Sequence, residues 1–266
     1  LQANDEPVTY YSMMAARRML GSRNSLFNIG MRPQVERELD DGQMTLEEAK
    51  EAIIDRLSDS AKAPEEMAKA QETLAEAAEN AARDMMPADD DLKENDLINL
   101  KLMRTELMLT SRLSRNEQYT IPVNVEGQDG TVHLQIVRSD ETRGRANIVF
   151  ENDVLGKVAA ELNDLSDRIE GLILADTQQG LDFLKAGQEA FEQALSAINA
   201  VGGKQISLNF ALQENMSLTS FQMRDLTRSI MERNDSISQD TPEYNTQTSV
   251  LYGMSKAFLT AIMRIS

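Results

Sequence analysis

The chain has no cysteine and no tryptophan, a single histidine and only six prolines in 266 residues. Without cysteine there are no disulfides, no thiolate metal sites and no cysteine nucleophile. That absence fits a cytosolic protein, and fits equally well a substrate of an export system that threads unfolded chains. His133 has no second histidine to share a metal with, and no nucleophile can be nominated to complete a triad around it. No apolar run approaches the roughly 18 residues that cross a bilayer, and no signal-peptide core is visible, so membrane insertion is not expected. The first residue is Leu1 rather than Met, which reads as a trimmed or mature form from which a signal could already have been cut.

Basic residues are also scarce. Lys and Arg number 27 against 44 Asp and Glu, a net charge of −17. The imbalance is concentrated: Glu36 to Asp96 holds 20 acidic and 7 basic residues, a net of −13. A surface this acidic repels phosphate backbones and anionic membranes, which disfavours nucleic acid and peripheral membrane as partners.

What is present is a chain with 41% apolar residues, long enough for one large or two small domains with real cores. Fifteen methionines suggest adaptable apolar packing. Residues 1–118 read as helical. Val8 to Leu20 carries Tyr10, Met13, Met14, Arg17 and Leu20 on one side, and Pro33 opens a short helix ending near Gly42. Thr45-Leu46-Glu47-Glu48 is a capping box ahead of a helix with Ile53 and Leu57 on its face. Pro64 suits the first turn of an Ala-rich helix that runs to Met86. From Leu92 to about Asn116 apolar residues cover more than one face, the pattern of a helix packed on two sides and a spine between helices and sheet.

Residues 119–213 read as an α+β core, a mostly antiparallel sheet with one packed amphipathic helix. Tyr119 to Glu126 and Val132 to Arg138 alternate around Gly127-Gln128-Asp129-Gly130, a hairpin signal. Pro122 cannot donate to a ladder, so its strand belongs at an edge or turns that N–H position outward. Arg145 to Phe150, Leu155 to Leu162 and Arg168 to Leu174 continue the alternation. The period then changes to 3.6 through Leu181, Leu184, Gln188, Phe191, Leu195 and Ile198, with Asp176 or Thr177 as cap and Gly202-Gly203 as stop. Ile206, Leu208, Phe210 and Leu212 form a last strand. One such helix on a half-apolar sheet is a two-layer core with a wetter opposite face, where His133 is expected. Residues 214–266 read as C-terminal helices: Leu218 to Arg233, then a helix opened by Pro242.

The stretch from Arg145 to Leu212 resembles the C-terminal domain of flagellar hook-length control proteins. The residues that carry the likeness are Leu155-Gly156-Lys157-Val158 to Leu162, the following strand, and the helix tail from Phe191 to Gly202. They cover about a quarter of the chain. Asn152-Asp153-Val154 stands where that family places a proline, and the chain lacks the family's long ruler segment. The resemblance implies a cytoplasmic protein, itself exportable through the flagellar apparatus, that contacts a component of the export gate to switch substrate class. It assigns no functional residue, because the matched positions are core positions.

Candidate chemistry is sparse. Asp89-Asp90-Asp91 with Glu94 and Asp96 offers oxygens to a divalent cation but lacks the glycine and spacing of a calcium loop, and acidic residues suit a helix start in any case. Asp164 and Asp167 read as turn residues. Gly202-Gly203-Lys204 follows a helix instead of preceding one, the wrong end for phosphate. No catalytic residue, cofactor-binding residue or metal ligand is nominated, no cofactor is expected, and an enzyme is not. The last helix carries a stripe, Leu251, Met254, Phe258 and Ile262, that either docks a partner protein or buries itself on its own chain. The expectation is a non-enzymatic protein-binding factor of hook assembly or type III export, with the stripe as its contact surface. The alternative is an acidic scaffold of unrelated role with a similar core.

Overall fold

The computed structural model describes residues 9–19, 56–58, 62–85, 91–125, 128–138, 143–153, 155–165, 167–198, 203–217 and 242–264. The helices expected at 33–42 and 218–233 lie outside them. So does the helix after Thr45, apart from a single 3-10 turn at Arg56–Ser58.

Among the described residues three α-helices precede the sheet: α1 (Tyr10–Met19), α2 (Ala63–Met85) and α3 (Asp91–Arg115). Thr9 opens α1 with a reciprocal cap, its hydroxyl accepting from Ser12 N at 3.1 Å while Ser12 Oγ accepts from Thr9 N at 2.8 Å. Pro64 sits in the first turn of α2, where a missing N–H costs nothing. The inner face of α2 is built largely from alanine (Ala63, Ala70, Ala77, Ala78, Ala81), with Met67 and Leu74 filling the gaps. Small side chains let α3 approach closely. The seam is pinned by a buried pair in which Ser114 Oγ donates to Gln71 Oε1 at 2.9 Å. α1 and α2 both pack on α3, which explains why α3 is apolar on more than one side. A two-residue turn, Asn116-Glu117, then leads from α3 straight into the sheet.

The sheet has six strands in chain order: β1 (Gln118–Val125), β2 (Gln128–Arg138), β3 (Gly144–Asn152), β4 (Gly156–Asp164), β5 (Arg168–Ala175) and β6 (Gln205–Leu212). The first five form an antiparallel meander, and β6 runs parallel to β5. A parallel neighbour needs a crossover, which is supplied by α4 (Gln178–Ala186) and α5 (Gln188–Ser196). β1, with Pro122, is an edge strand, as its proline allows. The hairpin is tighter than its Gly-Gln-Asp-Gly signal suggests, because Val125 pairs with Gln128.

The single crossover helix expected from the periodicity is two helices. Gly187, at φ −84° and ψ −5°, donates its N–H to Phe183 O and Lys185 O, and α5 restarts beyond it. Glycine has the weakest hold on a helix interior of any residue but proline, so the break falls there. Thr177 is the cap of α4, accepting from Gly180 N at 3.0 Å. Asp176 instead accepts from Lys157 N at 2.7 Å and ties the crossover back to β4. Gly156 lies between them with φ +71°, where a Cβ would meet Asp176 Oδ1 at 2.4 Å. The Leu155-Gly156 pair thus has a packing reason: nothing larger fits where the crossover leaves the sheet.

One face of the sheet carries the core. Its rows run Tyr119, Leu134, Ile148, Ala160, Ile173 and Ile121, Val132, Phe150, Val158, Ala175, all buried. The last helix, α6 (Pro242–Arg264), covers β1 to β4, while α4 lies over β4 to β6. The layers meet where Phe191 of α5 stands edge-on to Phe258 of α6, ring centres 5.3 Å apart. A single apolar cluster joins α2, α3, the sheet, α4, α5 and α6 across the boundaries expected near residues 118 and 213.

The opposite face is not the wet surface that a two-layer core implies. Thr131, Arg145, Asn147 and Val149 are all buried there, and Met216 folds back beyond β6 onto Val149 and Ala159. The face is polar in type but closed over its central strands.

Phe191 is 2% exposed and bridges two helices. Phe191→Ala should therefore lower stability by about 3–5 kcal/mol, read as a fall in the urea midpoint. An unchanged midpoint would mean that α5 does not close the core.

Candidate functional site

The stripe proposed as a contact surface is turned inward. Leu251, Met254, Phe258 and Ile262 are 0%, 0%, 2% and 3% exposed. Leu251 lies so close over β3 that a Cβ on Gly144 would come within 2.7 Å of its Cδ1. The stripe faces the chain's own sheet because the apolar rows of β1 to β4 offer it a surface to bury against. A partner can reach those four side chains only if α6 lifts away.

Under α6 lies a polar cluster. Glu117, in the turn between α3 and β1, has a left-handed backbone (φ +58°) that aims its carboxylate beneath α6. Arg138, at the end of β2, grips that carboxylate with both terminal nitrogens, Nη2 to Oε1 at 2.6 Å and Nη1 to Oε2. Arg138 Nε also donates to Thr248 Oγ1 of α6 at 3.2 Å. Tyr252 of α6 donates its hydroxyl to Glu117 Oε1 at 3.0 Å, which leaves the Tyr119 hydroxyl to donate to Tyr252. The two rings meet edge to face with centres 6.1 Å apart. Burial pushes both phenols above the usual tyrosine range, with the Glu117 charge acting in the same direction, so both stay protonated. A neutral phenol pair with an ion-paired carboxylate is suited to holding α6 in register, with both phenols buried and Glu117 partly exposed. None of these residues was singled out from the sequence. Tyr119 and Tyr252 look like ordinary apolar positions, and a carboxylate in a helix-to-strand turn looks like surface.

The other sequence candidates fall to structural roles. Asp164 is 1% exposed and pairs with Lys204 at 2.5 Å, while Lys204 also donates to Leu165 O at 3.0 Å. Desolvation pushes the Asp164 carboxyl up, and Lys204 opposes this. The lysine of the Gly-Gly-Lys run is thus a clip between β4 and the return into β6. Asp167 is exposed beside Arg168. His133 is half-buried on the closed face, cross-strand from Thr120 and Val149, and desolvation pulls it down to about 4, so it is neutral near pH 7. Among the described residues no group of three or more His, Cys, Asp or Glu is placed to hold a metal, and no helix is long and apolar enough to cross a membrane. Asp91 opens α3, and the acidic residues before it lie outside the described set.

A second buried carboxyl lies between α1 and α3. Glu106 of α3 is 2% exposed and faces Arg18 of α1, with Nε 2.8 Å from Oε1 in an ion pair not aligned as a hydrogen bond. Desolvation pushes Glu106 up to about 7 against the pull of Arg18. A glutamate within an apolar helix stretch is the only sequence signal it gives.

Comparison with family models, with curated proteins and with solved structures finds no match to this chain.

Two experiments test this interior. Tyr252→Phe strands the Tyr119 hydroxyl and should cost about 1–3 kcal/mol. Adding Tyr119→Phe removes both partners, so the double variant should lose less than the sum of the singles. Additive losses would show that the two hydroxyls do not depend on each other. For Glu106, the native carboxyl keeps its proton up to about 7 whereas its ordinary value is 4.5. The folded state therefore binds more protons between these values, and stability falls as pH rises through them. Glu106→Gln should flatten that slope and be the more stable form at pH 8 by roughly 1–3 kcal/mol. A slope unchanged in the variant would assign the pH dependence to another group.

Proposed function

We propose that the protein is a non-enzymatic protein-binding factor of flagellar hook assembly or type III export, acting by contact with a component of the export gate. The observation that carries this is the unit from Arg145 to Leu212: three antiparallel strands, a crossover and a returning parallel strand. Of the residues that resemble hook-length control proteins, those described pack together, with Leu155-Gly156 at the mouth of the crossover and Phe191 in the core. Such a protein works in the cytoplasm and passes through the flagellar apparatus. Its partner presents a basic surface, the complement to a net charge of −17. Neither nucleic acid nor a cofactor enters the role.

The alternative, an acidic scaffold of unrelated role, is favoured by the burial of the Leu251 stripe, which removes the most apolar candidate contact surface from solvent. Contact then falls to the outer side of α2, where Glu65, Glu76 and Asp84 are exposed.

Tagged full-length protein should retain a hook or export component from cells of its source. Retention should weaken as salt is raised and in a Glu76→Lys, Asp84→Lys variant, because screening acts on exposed charges. If no hook or export component is retained, the flagellar reading falls and the scaffold reading stands. Retention indifferent to both salt and the variant would move the contact away from α2.

A further inference from the structure

The two edges of the sheet are treated differently. At the β1 edge Pro122 removes a donor and Gln71 of α2 donates its side-chain amide to Thr120 O at 3.4 Å. β6, at the other edge, has no charged residue and no proline from Gln205 to Leu212, and no strand pairs with its outer side among the described residues. Natural sheets guard exposed edges with charge, proline or a bulge. Among the described residues these eight, without charge or proline, are an open template.

The ladder fixes which groups are on offer. Gln205 N donates to Asp167 O and Gln213 N to Ala175 O, so the odd-numbered residues of β6 turn their main-chain groups to β5. Those of Ile206, Leu208, Phe210 and Leu212 therefore point outward. The side chains follow the same alternation, with Ile206, Leu208 and Phe210 half-buried towards α4, Ser207 and Asn209 exposed on the other face, and Leu212 39% exposed.

We propose that β6 pairs antiparallel with β6 of a second copy of this chain, about a two-fold axis through Asn209, to make one continuous sheet across a dimer. In an isologous pair a residue meets another on the same face, and an Asn209-centred register sets Leu208 against the partner copy's Phe210 and Ile206 against its Leu212. All four carry outward main-chain groups, so each pair exchanges both hydrogen bonds. Leu212 gains an apolar neighbour, and the paired span 206–212 contains no charge. Lys204, just outside it, is already held by Asp164. Charge selects the same place. Two copies at −17 repel. Among the described residues α2, with Glu65, Glu66, Glu72, Glu76, Glu79 and Asp84 against Lys69 and Arg83, packs at the β1 edge, so the neutral β6 edge lets like copies meet with less repulsion. The dimer is independent of the flagellar role.

Sedimentation of the full chain through a dilution series should show a monomer–dimer equilibrium. Asn209 is exposed, so Asn209→Lys and Asn209→Asp should leave the urea midpoint unchanged. Each places like charges face to face at the axis and should weaken dimerisation by roughly two- to fivefold. An equimolar mixture of the two variants should restore it as a heterodimer, which no fold defect can imitate. Wild type that is monomeric at every concentration overturns the proposal and leaves the edge to a strand from another protein. Variants that dimerise as wild type does overturn it as well, because the interface then lies elsewhere.

Discussion

The carboxylate of Glu117 sets where the last helix can lie. It occupies a left-handed backbone position between α3 and β1, is gripped on both oxygens by Arg138, and receives the hydroxyl of Tyr252 from α6. Apolar burial drives α6 onto the sheet but is non-directional. Close fits such as Leu251 over Gly144 oppose sliding, and directional polar contacts narrow the register further. The hydrogen bonds to Thr248 and Tyr252, one turn apart on α6, admit one register. A buried ion pair adds little net stability because desolvation offsets attraction, yet leaving one partner alone is costly. The joint therefore acts as a specificity device, penalising every placement of α6 that separates Glu117, Arg138 and Tyr252.

From that register the rest of the core follows. With Tyr252 fixed at the Tyr119 end, Phe258 falls six residues on, against Phe191 of α5. The crossover helices are then held from one side by α6 and from the other by Thr177, Asp176 and the glycine at 156. Lys204 and Asp164 fasten the chain again as it enters β6.

Much of this was legible as period. Strands β1 to β6 and helices α1, α2, α3 and α6 lie where alternation or 3.6-residue recurrence places them, because those patterns record which face is buried. What was not legible has specific causes. The break at Gly187 is invisible to periodicity, since Leu181, Leu184, Phe191 and Leu195 stay in phase across it. The closure of the second sheet face was masked by its chemistry: Thr131, Arg145 and Asn147 alternate with apolar residues as solvent-facing residues do, yet are buried. The stripe at Leu251 was readable as apolar but not as inward or outward, because a pattern cannot say which of two apolar surfaces it meets. Glu117 left no trace, since a turn carboxylate becomes interior only when a helix more than a hundred residues later is laid across it.

The interior clips also shape the exterior. Arg138, Lys204 and Arg18 are all more than three-quarters buried, each with a carboxylate as partner, and Arg145 is buried too. Each clip withdraws one charge of either sign, so the net charge stays at −17. In a chain with so few cations the loss is unequal: the exposed surface keeps most of its carboxylates and gives up a larger share of its basic groups. Where basic side chains remain outside on the α2–α3 pair, as with Arg104 at Glu79 and Arg115 at Glu65 and Glu72, they already face acidic neighbours. The field such a surface projects is more uniformly negative than composition alone implies, which favours steering towards a basic partner over close contact with another acidic one. Electrostatics thus divides the molecule by use: helices that repel their own kind on one side, and on the other a neutral strand whose recognition chemistry is its backbone.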